Sequence, residues 1–279
     1  MSHPDAALVT GCSGGIGRAT ALALVRAGIP TWATARQPDR IADLAAAGCR
    51  TLQLDVTDEE SRVRAVKTIE AEHGSVGVLV NNAGYAQAGP IEEVSLDLVR
   101  HQFETNVYGL MRMCQLVLPK MRAKSRGTII NIGSAAGLMG VPATGTYAMS
   151  KWSVEALSDA LRYEVRDFGV RVVLLEPGGV ITTGFAAAEH ETWPPTPGPY
   201  EIFQRNHRAR MSGWTNDNAR GMSTPEEVAR VVVRAARAAH PRARYKIGVA
   251  PRIMPLMYRL LPSRLWDGFW ARQFPVTDR

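Results

Sequence analysis

A short apolar run, Ala6-Ala-Leu-Val-Thr10, passes directly into Gly11-Cys-Ser-Gly-Gly-Ile-Gly17, and a helical pattern follows over 18–27. The run reads as a buried strand. Strand, glycine turn and helix in that order point to an α/β fold. They also place a helix N-terminus at the strand's end, where free backbone N–H groups and the helix dipole favour an anion such as a pyrophosphate. The glycines let the backbone approach it closely.

The rest of the chain keeps this alternation. Further strands are expected over 31–35, 50–54, 76–80, 127–132, 171–176 and 245–249, with helical patterns between them. Residues 95–124 read as two long helices joined end to end, and 147–168 as one long helix. Thr224-Pro-Glu-Glu227 reads as the start of another helix, with Thr224 as N-cap and Pro225 at the first position. No repeat or linker divides the 279 residues, so one domain is expected over 1–279.

Chemistry concentrates in Tyr147-Ala-Met-Ser-Lys151, where a four-residue spacing puts Tyr147 and Lys151 on one helix face. A phenol ordinarily titrates near ~10, and an adjacent ammonium favours the phenolate. Bringing it to about 7 needs about 4 kcal/mol of differential stabilisation, within reach of a lysine and a cofactor charge in a partly dry cleft. The product is a general acid–base for an alcohol oxygen. Taken alone, YxxxK is more simply a solvated helix face.

The company of these motifs decides between the two readings. The glycine spacing TGxxxGxG, the tetrapeptide Asn81-Asn-Ala-Gly84 after the fourth strand, and Ser134 thirteen residues before Tyr147 occur in order. With YxxxK they resemble the short-chain dehydrogenase/reductase family over about residues 6–250. The resemblance implies a Rossmann-type, doubly wound, mainly parallel seven-stranded sheet flanked by helices. It implies that Tyr147 moves the proton, Lys151 lowers its pKa and holds the cofactor ribose, and Ser134 orients the carbonyl. Asn106, between the two joined helices, falls at the family's fourth catalytic position, where its backbone is thought to hold a water. Read without the family, Asn106 is a buried hydrogen-bonding residue and Ser134 a turn former or cap.

The same resemblance assigns the dinucleotide to Gly11, Ser13, Gly15, Ile16 and Gly17, to Asp55 and Val56 beside the adenine, and to Asn82, Ala83 and Gly84. Tyr147 and Lys151 contribute to its binding. The turn Pro177-Gly178-Gly-Val180-Ile-Thr182 is expected to wrap the nicotinamide carboxamide and pyrophosphate. Asp55 has a simpler alternative, capping of the helix after Thr57. The second strand ends in Ala35-Arg36, where an NAD site would carry a carboxylate. A guanidinium there suits a 2′-phosphate. NADP(H) is therefore expected over NAD(H).

Residues 184–222 hold Trp193, Trp214 and the run Pro194-Pro-Thr-Pro-Gly-Pro199, and are expected to form a lid over the substrate. Residues 251–279 alternate Met, Leu, Trp and Phe with arginines and read as an amphipathic extension. Packing on its own domain or on a partner subunit is the first reading of this tail. Contact with a membrane or a guard over an apolar pocket is the other. The lid and tail together suggest a bulky apolar ketone or secondary alcohol, such as a steroid-, retinoid- or polyketide-like molecule.

Composition excludes several classes. The net charge of +7 is spread along the chain, with no nucleic-acid motif and no aromatic platform among the basic residues. Cys12, Cys49 and Cys114 have no metal spacing and read as free thiols of a cytoplasmic protein, with Cys12 a candidate for reactivity. No leader and no membrane span is expected, no membrane partner, and no metal. The family resemblance suggests a homo-oligomer, a dimer or tetramer. A non-catalytic NADP(H) sensor on the same fold is the alternative, but it would not need the full Asn106, Ser134, Tyr147 and Lys151 set.

Overall fold

A computed structural model describes residues 6–181, 198–214 and 221–276. Its strands are β1 (Ala7–Val9), β2 (Thr31–Ala35), β3 (Arg50–Gln53), β4 (Val78–Asn81), β5 (Gly127–Ile132), β6 (Val170–Pro177) and β7 (Arg244–Ile247). They form one sheet in the order β3-β2-β1-β4-β5-β6-β7, and every neighbouring pair is parallel. The expected seven-stranded sheet is present, wholly rather than mainly parallel. Strand order reverses between β1 and β4, where Val9 pairs with Ala33 on one side and Val80 on the other. Such a switch point opens a crevice beyond the strand ends.

Both faces of the sheet are covered, so successive strand residues feed opposite cores. Val9, Val80, Ile130 and Val173 pack under helices α1 (Gly15–Arg26), α2 (Ala42–Ala46) and α8 (Pro225–Arg237), through Leu24, Leu44, Val228 and Val232. Leu8, Leu79, Ile129 and Leu174 pack under α3 (Glu59–His73), α5 (Leu110–Ala123) and α6 (Gly145–Val165), through Ile69, Met113, Val117 and Val154. Each fully buried Leu or Ile contributes about 1.5–3 kcal/mol. The near-continuous apolar runs in the sequence reflect this double burial.

Local signals set the helix ends. Thr224 caps α8 in a full capping box with Glu227, with Pro225 in the first turn, as expected. Asp58, not Asp55, caps α3, accepting from the backbone N–H of Glu60 and Ser61. The alternative reading of Asp55 as the cap is therefore corrected. Its carboxylate instead accepts from the N–H and hydroxyl of Thr57 at 2.9 and 2.7 Å. The two helices expected over 95–124 are α4 (Leu96–Phe103), capped by Ser95, and α5. A π-helical turn, Glu104–Gly109, joins them and contains Asn106. Gly109 lies so close to Val56 that a Cβ there would sit 2.6 Å from the Val56 carbonyl oxygen.

Helix α7 (Glu201–Trp214) belongs to the expected lid region, of which 182–197 and 215–220 lie outside the described residues. The tail folds as α9 (Ala250–Leu260) and α10 (Ser263–Gln273). Trp266 of α10 is buried against Ala135 and Met139, just beyond the end of β5. Phe274 packs with Ala88, Ala143 and Phe203 of α7. Among the described residues, no helix is long and apolar enough to cross a membrane.

Candidate active site

The glycine turn after β1 and the Asn-rich turn after β4 are tied together at the switch point. The Thr10 hydroxyl accepts from the N–H of Asn82 and Ala83 at 3.0 and 2.9 Å, and the Asn82 amide donates to the carbonyls of Thr10 and Gly11. The turn itself needs glycine. Gly11 has φ +73°, and a Cβ on it would lie 2.9 Å from Ala83 Cα. At Gly17 a Cβ would lie 2.3 Å from the Gly11 carbonyl oxygen. The N-cap of α1 is Gly14, which offers no side chain to the first N–H groups, and no acidic residue stands in that first turn. Those N–H groups are left for an anionic ligand, so the residues fit a dinucleotide pyrophosphate.

Of the other residues assigned to the dinucleotide, all but Thr182 fall within the described residues. Ser13 is exposed on the turn, and Ile16 packs from the first turn of α1 onto the core. Arg36 is exposed at the end of β2, and its carbonyl accepts from Gln53. Gly84 lies against Asn106, whose Oδ1 would be 2.9 Å from an added Cβ. Pro177 ends β6, the Gly178 N–H donates to the Ile247 carbonyl at 2.9 Å, and Val180 bridges to Ser223. Thr182 lies outside the described residues. Cys12 is fully buried, and burial pushes its thiol up to about 12, so the possibility that it is reactive is not supported.

Helix α6 presents Tyr147 and Lys151 toward the end of β5. Lys151 is only 7% exposed, and its ammonium donates to the Ile132 carbonyl at 2.7 Å. Its Nζ lies 5.7 Å from the centre of the Tyr147 ring. Burial pushes the Lys151 pKa down to about 8, while the nearby Glu155 carboxylate works against that fall. Ser134 lies two residues past the end of β5, and its hydroxyl accepts from the Ala136 N–H at 3.1 Å, capping a one-turn 3-10 helix. It is thus a helix cap, as its residue type alone suggested.

Asn106 connects three segments. Its Oδ1 accepts from the Tyr85 N–H at 3.1 Å, and its amide donates to the Tyr85 carbonyl at 2.9 Å and the Ser150 hydroxyl at 3.0 Å. The Ser150 hydroxyl donates in turn to the Tyr147 carbonyl at 2.8 Å. The side chain therefore holds the turn after β4 against the YxxxK helix, a function separate from any water held by its backbone.

Several residues of this framework do not belong to any motif read above. Asn131 of β5 accepts from the Asn81 amide and donates to the Ser158 hydroxyl, both at 2.9 Å, crossing from β4 through β5 to α6. An asparagine inside the apolar strand Gly-Thr-Ile-Ile-Asn-Ile was the available signal, because a buried amide needs partners. Glu155, one turn after Lys151, lies under Gly137 and pairs with Arg244 of β7. Arg244 also holds Asp159 at 2.6 Å and the fully buried Glu176. Burial raises the Glu155 pKa to about 7, with Arg244 opposing and Glu176 adding to the rise. This charge cluster lies beneath the site, and only the i, i+4 spacing from Lys151 hinted at it.

Comparison with known proteins agrees with this geometry. The profile of the short chain dehydrogenase family matches residues 5–193. An uncharacterized oxidoreductase, YusZ, of Bacillus subtilis is 34% identical over 96% of this chain and 97% of its own. The 3-ketodihydrosphingosine reductase of Bacteroides thetaiotaomicron is 41% identical over 66% of each chain. The NADPH-dependent 3-dehydrocapnine reductase of Ornithobacterium rhinotracheale is 34% identical over 94% of each. A short-chain dehydrogenase structure from Streptomyces avermitilis superposes with TM-score 0.79 at 30% identity, covering 96% and 97% of the two chains. A closed serine dehydrogenase complexed with NADP+ gives 0.75 at 28% identity, covering 87% of this chain and 94% of its own. The chain belongs to the short-chain dehydrogenase/reductase family. It is an oxidoreductase that acts on a CH–OH/C=O pair.

Proposed function

We propose that the protein is an NADP(H)-dependent reductase of a ketone carried on a bulky apolar molecule, working through Tyr147, Lys151, Ser134 and Asn106. The observation that carries this reading is Lys151, buried and held to the Ile132 carbonyl beside the Tyr147 ring. When bound, the nicotinamide supplies the hydride that is added to the carbonyl carbon. Tyr147 gives its hydroxyl proton to the developing alkoxide. Lys151 places positive charge beside that hydroxyl and favours its ionised form. Ser134 donates to the carbonyl oxygen and fixes its approach. Asn106 keeps α6 in register with the turn after β4, so that Tyr147 is positioned before substrate arrives.

Gly11, Ser13, Gly15, Ile16 and Gly17 form the proposed pyrophosphate cradle. Arg36 selects the 2′-phosphate, and Asp55, Val56, Asn82, Ala83, Gly84, Pro177, Gly178 and Val180 line the rest. The NADPH-dependent relative and the NADP+ complex support that choice. Arg36→Asp is expected to weaken NADPH binding by roughly 10- to 100-fold, the size of a lost charge-assisted hydrogen bond, and to improve NADH use. Dissociation constants for both nucleotides check this. An unchanged NADPH affinity would assign the 2′-phosphate to another residue.

A long-chain or polycyclic substrate is supported by the aromatic tail packed beyond Ser134, with Trp266 on Ala135 and Met139. The relatives named for 3-ketodihydrosphingosine and 3-dehydrocapnine point the same way. NADPH-linked reduction across ketones of graded size tests this. Preference for small polar sugars would argue against it.

Glu155 supplies a pH test of the Lys151 assignment. Above about pH 7 its carboxylate is charged and raises the Lys151 pKa. Glu155→Gln removes that support, so Lys151 should lose its proton at lower pH. The alkaline limb of the kcat/KM profile for reduction is expected to move downward. A limb that stays in place would detach Lys151 from the proton-transfer step.

A further inference from the structure

The anchored face of the tail leaves a second face uncovered. On α9, Pro251 and Pro255 are buried and Met254 packs inward near Trp266, while Ile253, Leu256, Met257 and Leu260 are exposed, Leu256 by 57% and Leu260 by 73%. Their spacing of three, four and seven residues makes one continuous helical stripe, opposite the buried prolines. Helix α10 repeats the pattern: Trp266 and Trp270 point inward, while Leu265 and Phe269 are exposed, Leu265 by 61%. Monomeric proteins seldom leave such contiguous apolar surface uncovered.

Charge says what covers it. Arg252 and Arg259 flank the α9 stripe on one side, and Arg264 and Arg272 extend from α10, against the single carboxylate of Asp267. Arg252 also lines a cleft at the β7 edge with Arg234, Arg242 and Lys246. A second copy docking antiparallel here about a two-fold axis would face arginine with arginine. An anionic lipid surface instead accepts the apolar stripe among its acyl chains while arginine stems reach up to its phosphates.

We propose that the α9–α10 pair is an interfacial docking surface for an anionic lipid bilayer, laid flat rather than inserted across it. Docking through this face does not depend on which ketone is reduced. It would bring the region beyond Ser134, covered by Trp266, to the lipid surface.

Flotation of the purified full-length chain with vesicles tests it. The protein is expected to float with vesicles rich in phosphatidylglycerol, and on the order of tenfold less with pure phosphatidylcholine or at high salt. The double variant Leu256→Glu/Leu260→Glu should abolish flotation, and Arg252→Glu/Arg259→Glu should reduce it by on the order of tenfold. These side chains are exposed, so an unchanged melting curve and NADPH affinity are expected to accompany both losses. Absence of flotation on phosphatidylglycerol, or flotation that the Leu256/Leu260 variant does not alter, overturns the proposal. So does light scattering that shows an assembly which that variant dissociates, since the stripe would then be covered by a second copy.

Discussion

Tyr147→Phe is expected to bind NADPH as the wild type does and to lose roughly 10²- to 10⁴-fold in turnover, the range contributed by a positioned general acid–base. The substitution removes one oxygen and leaves the ring. Helix α6 keeps its packing, because the residues that seat it are Val154 and Val165 in the core and Lys151 on the Ile132 carbonyl. The proposed cradle for the pyrophosphate is built from the turn after β1 and the first turn of α1. A lost hydroxyl costs about 1 kcal/mol of stability, so the protein should stay folded. Turnover and NADPH affinity, measured on the same preparation, divide the possibilities. Turnover within tenfold of the wild type would remove Tyr147 from the proton transfer. Loss of nucleotide binding alongside turnover would mean that the hydroxyl shapes the crevice instead.

The sequence made the alternation of strands and helices legible because both sheet faces are buried. The central strands are then largely apolar, while the edge strands Arg50–Gln53 and Arg244–Ile247 are mixed and part-exposed, and the strand ends fall within about two residues of the expected ones. Ser134, Tyr147, Lys151 and Asn106 were visible as a spaced set; hydrogen bonds tie Lys151 and Asn106 to other segments, while the Ser134 hydroxyl caps the turn that follows it. Long-range partners were not visible. Nothing local announces that Arg244, far along the chain, meets Glu155 and Glu176, or that Asn131 bridges Asn81 and Ser158. Such pairings depend on which strands become neighbours, and strand order is not written in periodicity. The tail shows the same division. Its amphipathic character was plain, but which stripe docks and which stays exposed is set by where Ala135 and Met139 end up.

Gly17→Ala is expected to be the most damaging single methyl in the nucleotide crevice, and Gly14→Ala, three residues away, nearly harmless to stability. Both lie in one glycine-rich turn, so composition alone would treat them alike. At Gly17 the new Cβ would lie 2.3 Å from the Gly11 carbonyl oxygen and 2.4 Å from Asn82 Nδ2. Those two atoms are hydrogen-bonded to each other, and Asn82 is also bonded to Thr10. Relief therefore cannot come from a swinging side-chain tip; the turn after β1 or the turn after β4 has to move. Overpacking of this kind costs roughly 1–3 kcal/mol or more. It also displaces the α1 N–H groups proposed to hold the pyrophosphate, so NADPH affinity should fall at least tenfold, equivalent to about 1.4 kcal/mol. At Gly14 the backbone is extended, with φ −173°, and nothing lies within 4 Å of the added methyl. Alanine is sterically allowed there and reduces the entropy of the unfolded chain, which favours the native state slightly. Thermal melts of the two variants read the packing, and NADPH titrations read the cradle. Equal melting temperatures would mean that the crevice yields more easily than its hydrogen bonds indicate. A lower melting temperature for Gly17→Ala with undiminished NADPH affinity would separate the turn's packing from pyrophosphate binding and move the anion site off the N-terminus of α1.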